Sequence, residues 1–398
     1  PVRAASAIEL WRLLRREYAY RTLGDEDIDA ALLRVLPAVI AARDSIAYAT
    51  ALRDLLAATS DSRATLDDPT LDARLGAGEL PVDVRAIDGE MVVTRVHAAA
   101  RASGIEPGDV IERLDDDPIE RKFDAFDRLV SASNSWRRRF DLVQLFARGP
   151  IGSSVAVQVR RPTTRNRTEQ RTLSLVRVAR DAREEPPRGA ALSVPAPGVA
   201  LLDATQLDSA RVDSLRALSA SARPRALLVD LRQGVSPTAA SLLAWLADRP
   251  DVPVALERRT IAPTLDERER LTHERTMVLR ADTTSRYAGR VVVFIDERVD
   301  DAAERVALAL VTLGAVPIGG PTAGAVGPRA RQELPGGFAV TYAHRDVRWP
   351  DGRQLQRIGI QSLVDARPTV AGMRAGIDES VAAALRWIDP PRAPGRSR

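Results

Sequence analysis

The spacing of apolar positions changes three times along this chain. Over residues 5–58 it is helical: Ile8, Leu10, Trp11 and Leu14 share one face within 5–17. The pattern returns over 25–36 and 45–58, with Ser45 as an N-cap. This predicts a helical N-terminal cap over residues 1–78. Over 79–177 the period shortens to two. Stretches 81–86 and 91–96 alternate as strands around an Asp88-Gly89 turn, and 155–159 and 173–176 supply the last strands. A helical insertion over 122–148 places Phe123, Phe126, Leu129 and Val130 on one face. Residues 178–197 are polar and rich in Pro and Arg, which predicts a linker.

From residue 198 the apolar runs become continuous, as in strands covered on both faces. Strands are predicted over 199–202 and 226–231, and helices over 208–222 and 238–247. The charged stretch 253–279, which contains His273, is expected to cover the edge of a site. The chain is organised around 290–327. There a strand (291–295) enters a polar turn (296–301), a helix (302–313) and a second strand (316–318), which Gly319-Gly320-Pro321-Thr322 ends. Such a turn lies at the carboxyl edge of a sheet, where open α/β sheets place their ligands. Stretches 338–342 and 347–349 read as a hairpin-like pair, 379–388 as a helix and 389–398 as a disordered tail.

Composition narrows the chemistry. The chain has 398 residues, enough for two or three domains, and 45% of them are hydrophobic. It has no cysteine, which excludes disulfides, thiol catalysis and cysteine-ligated metals. His97, His273 and His344 are far apart, which argues against a histidine metal site; no metal or cofactor is expected. The pI near 9.9 with a net charge of only +4 reflects the use of arginine, since Lys122 is the one lysine. This fits a GC-rich bacterial genome. Aromatic content of 4% and the lack of a basic stripe argue against nucleic acid, and no run of about 18 apolar residues predicts a membrane span. The first residues, Pro1-Val2-Arg3, are compatible with removal of a signal peptide, so a periplasmic, secreted or cytoplasmic location stays open. A homo-oligomer is allowed.

The turn Val299-Asp300-Asp301-Ala302-Ala303-Glu304 resembles the Thr-x-Ser-Ala-Ala-Glu turn of the tail-specific (C-terminal processing) serine peptidases, in their tricorn-like branch. The resemblance runs over about 5–388. It implies an α/β fold with a helical cap, a PDZ-like β domain (79–177) and a ClpP/crotonase-like peptidase core (198–388). Ala102-Ser103-Gly104-Ile105-Glu106-Pro107-Gly108-Asp109-Val110-Ile111 resembles the PDZ signature. A PDZ domain adds a peptide to a sheet edge and holds its carboxylate in a loop. At that loop stand Glu79, which would repel a carboxylate, and Pro81, which lacks an amide, so a structural role is the simpler expectation.

The residues implied for catalysis depart from the family one by one. Asp301 stands at the serine nucleophile position, Arg63 at the histidine base and Gln356 at the tetrad glutamate. Arginine has no lone pair with which to accept a proton. Asp61 and Arg63 read alternatively as a solvated loop with an ion pair. The oxyanion loop reads Gly234-Val235-Ser236-Pro237 in place of Asn-x-Gly-Gly, and Pro237 has no amide to donate. Ala325 occupies the lysine position of the family's Ser-Lys branch. Gly234, Ser236, Ala302, Thr322 and Gly324 are the expected ligand-lining positions.

Two functions follow from the sequence. One is a pseudopeptidase that binds a peptide or a small molecule in the former cleft. The other is a repurposed enzyme in which Asp301, with Asp300 and Glu304, serves as acid, base or nucleophile on a non-peptide substrate. Helix N-terminal amides would depress an aspartate there, and clustering with Glu304 would raise it. Residual hydrolysis through Ser236 is a third alternative. The plainer reading is that Asp300 or Asp301 only caps the helix. A direct Arg63–Asp301 ion pair is expected to plug the cleft.

Overall fold

The computed structural model describes residues 2–68, 70, 73, 75–127, 130–163, 167–184, 189–262, 270–282 and 285–390. The tail expected beyond 390, and Leu129 of the insertion, lie outside these residues.

Three helices open the chain: α1 (Val2–Arg16), α2 (Ile28–Ala41) and α3 (Ser45–Ala57). Asp44, and not Ser45, caps α3, because its carboxylate accepts from the Ala47 amide. The helices are not a separate all-helical layer. Leu10, Leu14, Leu52 and Leu55 pack with Phe338, Val340 and Tyr342. Strand β1 (Thr65–Asp67) then pairs antiparallel with the strand that carries those residues.

The middle of the chain is a six-stranded antiparallel sheet. It is preceded by β2 (Gly78–Glu79) and contains β3 (Val82–Ile87), β4 (Glu90–Val96), β5 (Val110–Leu114), β6 (Asp117–Pro118), β7 (Ser154–Pro162) and β8 (Thr168–Val176). β3 is an edge strand. The insertion is two helices, α4 (Ile119–Phe126) and α5 (Ser135–Val143), with Asn134 capping the second through the Arg137 amide. The predicted linker is largely structured. It holds β9 (Val178–Ala179), which pairs with β2, and β10 (Leu192–Ala196), the antiparallel edge of the next sheet. Its Arg180 and Arg183 bind Glu79, tying the linker to the loop before β3.

The last unit is built on the sheet β10-β11-β12-β15-β16-β20. Strands β11 (Val199–Asp203), β12 (Ala226–Asp230), β15 (Arg290–Ile295), β16 (Val316–Gly319) and β20 (Val364–Asp365) are parallel. Helices α6 (Ser209–Ala222), α7 (Ala239–Leu246) and α8 (Asp301–Thr312) contribute Val212, Leu242 and Leu308 to the core on one face. After α9 (Val370–Ala375), helix α10 (Glu379–Ile388) covers the other face with Ala383, Ala384 and Ile388. Burial on both faces explains the unbroken apolar runs of β12 and β15.

Between β12 and β15 lies a long hairpin, β13 (Asp251–Ile261) and β14 (Leu271–Arg280), where the sequence pattern suggests only a charged cover. Two further strand pairings differ from the expected hairpin. β18 (Phe338–Ala343) pairs with β17 (Arg329–Leu334) and β1, whereas β19 (Asp346–Arg348) pairs with β13. The stretches expected to pair with each other therefore belong to different sheets.

Candidate functional site

The site forms where the carboxyl end of β15 turns into α8. Asp296 accepts from the Arg298 amide at 3.0 Å, and the Val299 amide returns to the Asp296 carbonyl at 2.9 Å. The turn ends at Asp301, whose φ of 41° lies in the left-handed region. Aspartate tolerates that region better than most residues, but the conformation is still strained. The Asp301 amide donates to the Ala325 carbonyl at 3.0 Å, which holds the elbow in place.

Opposite the elbow is the loop after α3. Arg63 reaches across and donates from Nη2 to Asp301 Oδ2 at 2.7 Å, with Nη1 3.4 Å from Asp300 Oδ2. Arg137 of α5 adds a second guanidinium, with Nη1 3.0 Å from Asp300 Oδ2 and Nε 2.8 Å from Asp141. Burial pushes the Asp141 carboxyl up to about 6. Asp300 occupies the N-cap position of α8, yet its side chain makes no capping bond and faces the two arginines instead. The plain cap reading therefore fails for its carboxylate.

Behind Arg63 lies a buried polar chain. Asp61 is fully buried and is not the solvated partner of the Arg63 guanidinium. It accepts from the Arg63 amide at 2.9 Å, from Gln356 Nε2 at 2.9 Å and from the Tyr18 hydroxyl at 3.0 Å. Burial raises its pKa in spite of these donors. Gln356 Oε1 accepts from the Val326 amide at 3.0 Å. One end of this side chain must accept and the other must donate, and a neutral amide does both. A carboxylate there would face Asp61.

Glu304 is not part of an exposed acidic cluster. It is fully buried and points under the elbow. Its carboxylate accepts from the Thr322 hydroxyl, from the Gly324 amide at 2.8 Å and from the Ala325 amide at 2.8 Å. Burial pushes it up to about 7 against those donors. This corrects the expectation for Thr322 and Gly324: their polar groups are spent on Glu304, and the Thr322 hydroxyl also accepts from the Ile360 amide at 2.7 Å. Ala302 is exposed in the first turn beside Asp301.

Gly234 and Ser236 lie on the loop after β12. Gly234 has φ 109°, which suits glycine, and its amide donates to the Leu231 carbonyl at 2.9 Å. The Ser236 amide donates to the Ala204 carbonyl at 2.9 Å, and its hydroxyl pairs with Thr238 at 2.9 Å. Neither amide is free to receive an oxyanion, and the Ser236 hydroxyl is turned to Thr238 and not to Asp301.

Residues 200–365 match the model of peptidase family S41. Solved structures extend the likeness to the whole chain. The complex of mature CPAF with lactacystin has a TM-score of 0.74 and 14% identity, covering 97% of this chain and 98% of that one. A putative peptidase from Parabacteroides merdae has a TM-score of 0.58 and 13% identity, covering 99% and 98%. The photosystem II D1 C-terminal processing protease has a TM-score of 0.53 and 19% identity, covering 99% of each chain. At these identities the likeness is one of fold. Among curated proteins, none matches the chain.

Within this S41 fold, sequence reasoning missed what the insertion supplies. Ser133 Oγ receives the Ser62 amide at 3.0 Å, and Ser62 Oγ receives the Ser133 amide at 3.0 Å. Asn134 Nδ2 donates to the Ala323 carbonyl at 2.9 Å. Asn134 had a local signal, as a cap residue ahead of an amphipathic helix. Its contact 189 positions away had none.

Proposed function

We propose that this chain is an S41-fold pseudopeptidase, in which an ion-pair network fills the position of the catalytic machinery and the surrounding cleft binds a peptide or small-molecule ligand. The observation that carries this reading is the 2.7 Å contact between Arg63 and Asp301. A carboxylate neutralised by a guanidinium is a poor nucleophile, and the guanidinium cannot take up a proton. The inward-facing amides at Gly234 and Ser236 support the same reading, since oxyanion donors carry about 10²–10³ in rate. The six-stranded sheet is PDZ-like in this proposal, with a structural role. Arg180 and Arg183 hold Glu79 where a terminal carboxylate would sit.

The test is terminal sequencing by mass spectrometry of an unfolded-protein mixture incubated with the chain and with its Asp301→Ala variant. The expected result is no new termini with either. New termini that vanish in the variant would overturn the proposal, and new termini with both would direct attention to Ser236.

One observation favours the repurposed enzyme as a second reading. Asp301 keeps a strained left-handed backbone while its side chain stays 24% exposed, which is how a reacting group is presented. Under that reading, carbodiimide coupling of a small amine should modify Asp301 faster than the ion-paired Asp378 on the same fold. Equal or slower labelling would remove it.

A further inference from the structure

Helix α2 is apolar on two opposite faces. From Ala30 to Ala42 its sequence holds a single polar residue, Arg34. Ile28, Ala31, Val35 and Val39 are buried in the core of the cap. Ala30, Leu33, Pro37 and Ile40 form a second stripe at helical spacing on the other side, and all four are exposed. Leu33, at 71%, is the most exposed large hydrophobic side chain among the described residues; Ile40 reaches 67%, and Ile46 just past the helix is exposed too. Arg34 is drawn aside by Glu26 and Asp54, which leaves the stripe unbroken. A helix that is apolar all round belongs in an interior, and an exposed apolar stripe of this kind marks an interface. None of Arg63, Asp300, Asp301 and Gln356 lies on α2, so this face does not depend on how the elbow is read.

The rim of the stripe narrows what covers it. Helices that lie on anionic lipid carry a polar face rich in Lys and Arg. Here the start of α2 carries Glu26, Asp27 and Asp29, and its end is followed by Arg43 and Asp44. Asp44 is spent on the cap of α3, whereas Arg43 is exposed and has no partner among the described residues. The start is therefore acidic and the end basic. Two such helices laid antiparallel bring unlike ends together, and antiparallel macrodipoles attract. Centred on position 35, the same arrangement sets Ala30 level with Ile40 of the second copy and Leu33 level with Pro37 of the second copy. A longer side chain then meets a shorter one at each level, as ridges packed into grooves require.

We propose that the outward face of α2 is the interface of a two-fold homodimer, with the two copies of the helix packed antiparallel. A helix of this length spans about 21 Å and covers less than a standard interface, so the dimer forms at micromolar concentrations.

The experiment is sedimentation equilibrium of the full chain up to about 200 µM, where a monomer–dimer equilibrium in the micromolar range is expected. Leu33→Glu should weaken it roughly a hundredfold, because each dimer carries the change twice. Leu33 is exposed, so the variant keeps the fold, which circular dichroism checks. The chain has no cysteine, so orientation can be read by cross-linking: Ala30→Cys mixed with Ile40→Cys under mild oxidation should give mainly the mixed disulfide dimer. A monomer throughout the range, a dimer indifferent to Leu33→Glu, or a preference for the two unmixed disulfides would each overturn the proposal. So would flotation of the monomer with phosphatidylglycerol vesicles that Leu33→Glu abolishes, since the face would then belong to lipid.

Discussion

At the scale of single residues, the site is a set of side chains that fit one another. Arg63 requires an anion opposite it, and Asp301 and Asp300 provide one. Buried Asp61 requires a donor, and Gln356 provides that. The fit predicts the effect of a glutamate at position 356. Gln356→Glu would set a second carboxyl against Asp61 in a site with no exposed surface at either residue. We expect a loss of about 3 kcal/mol at pH 8, the size of an uncompensated buried charge. The loss should shrink towards pH 5, because a carboxyl pair at hydrogen-bond distance can share a proton. Urea unfolding at both values checks this, and an equal loss at each would count against it. That residues 63, 301 and 356 gather at one site was legible because short motifs keep their order along the chain. Their partners were not, since Tyr18, Ser133 and Arg137 reach the site only through tertiary packing. Glu304 was misread for the same reason: spacing places it on the elbow helix, but only packing turns it inward.

At the scale of elements, the elbow depends on the loop of residues 322–325, which in turn is held by Glu304. Two buried carboxyls near the elbow are raised, Glu304 to about 7 and Asp141 to about 6. A raised folded-state pKa means that the contribution to stability is complete below the ordinary carboxyl range and is lost as pH climbs through the folded value. Stability should therefore decline between about pH 4.5 and 7, with Glu304 contributing on the order of 3 kcal/mol to the decline. Glu304→Gln should flatten the Glu304 part and leave that of Asp141. The variant should also be less stable at acid pH, because its amide would turn a donor towards the Ala325 amide. Denaturant midpoints from pH 4 to 8 measure both effects, and an unchanged slope would refute the assignment. Strands such as β12 and β15 were legible because burial on both faces leaves an unbroken apolar run. β13 and β14 were not, since most of β14 faces solvent and its charges hide the alternation.

At the scale of the whole molecule, an apolar and an ionic seam join the β unit to the parallel-sheet unit, beside the contacts that Asn134 and Arg137 make at the elbow. Ile87, Val92 and Val110 pack against Val370 and Met373. Arg85 of β3 crosses to Asp296 at 3.1 Å and Glu297 at 2.6 Å, at the mouth of the elbow turn. Burial alone would raise Asp296, but Arg298 and Arg85 outweigh it and hold the carboxyl at about 2. Position 85 gave no hint of this in the sequence, where it reads as an ordinary outward residue of an alternating strand. Arg85→Ala removes one of the two close guanidiniums and leaves Arg298 at 2.6 Å. Asp296 stays paired, so the loss should fall at the low end for a broken buried pair, about 3 kcal/mol. The location of the loss discriminates better than its size. If Arg85 fastens two units, hydrogen exchange in β3, β4 and β5 should accelerate more than in β12 and β15, because the β unit can then open without the parallel sheet. Arg85→Lys, which keeps the charge but not the fork, should fall between the two. Uniform acceleration across both sheets would mean that Arg85 serves the elbow turn alone, and that the apolar seam and the helical insertion hold the units together without it.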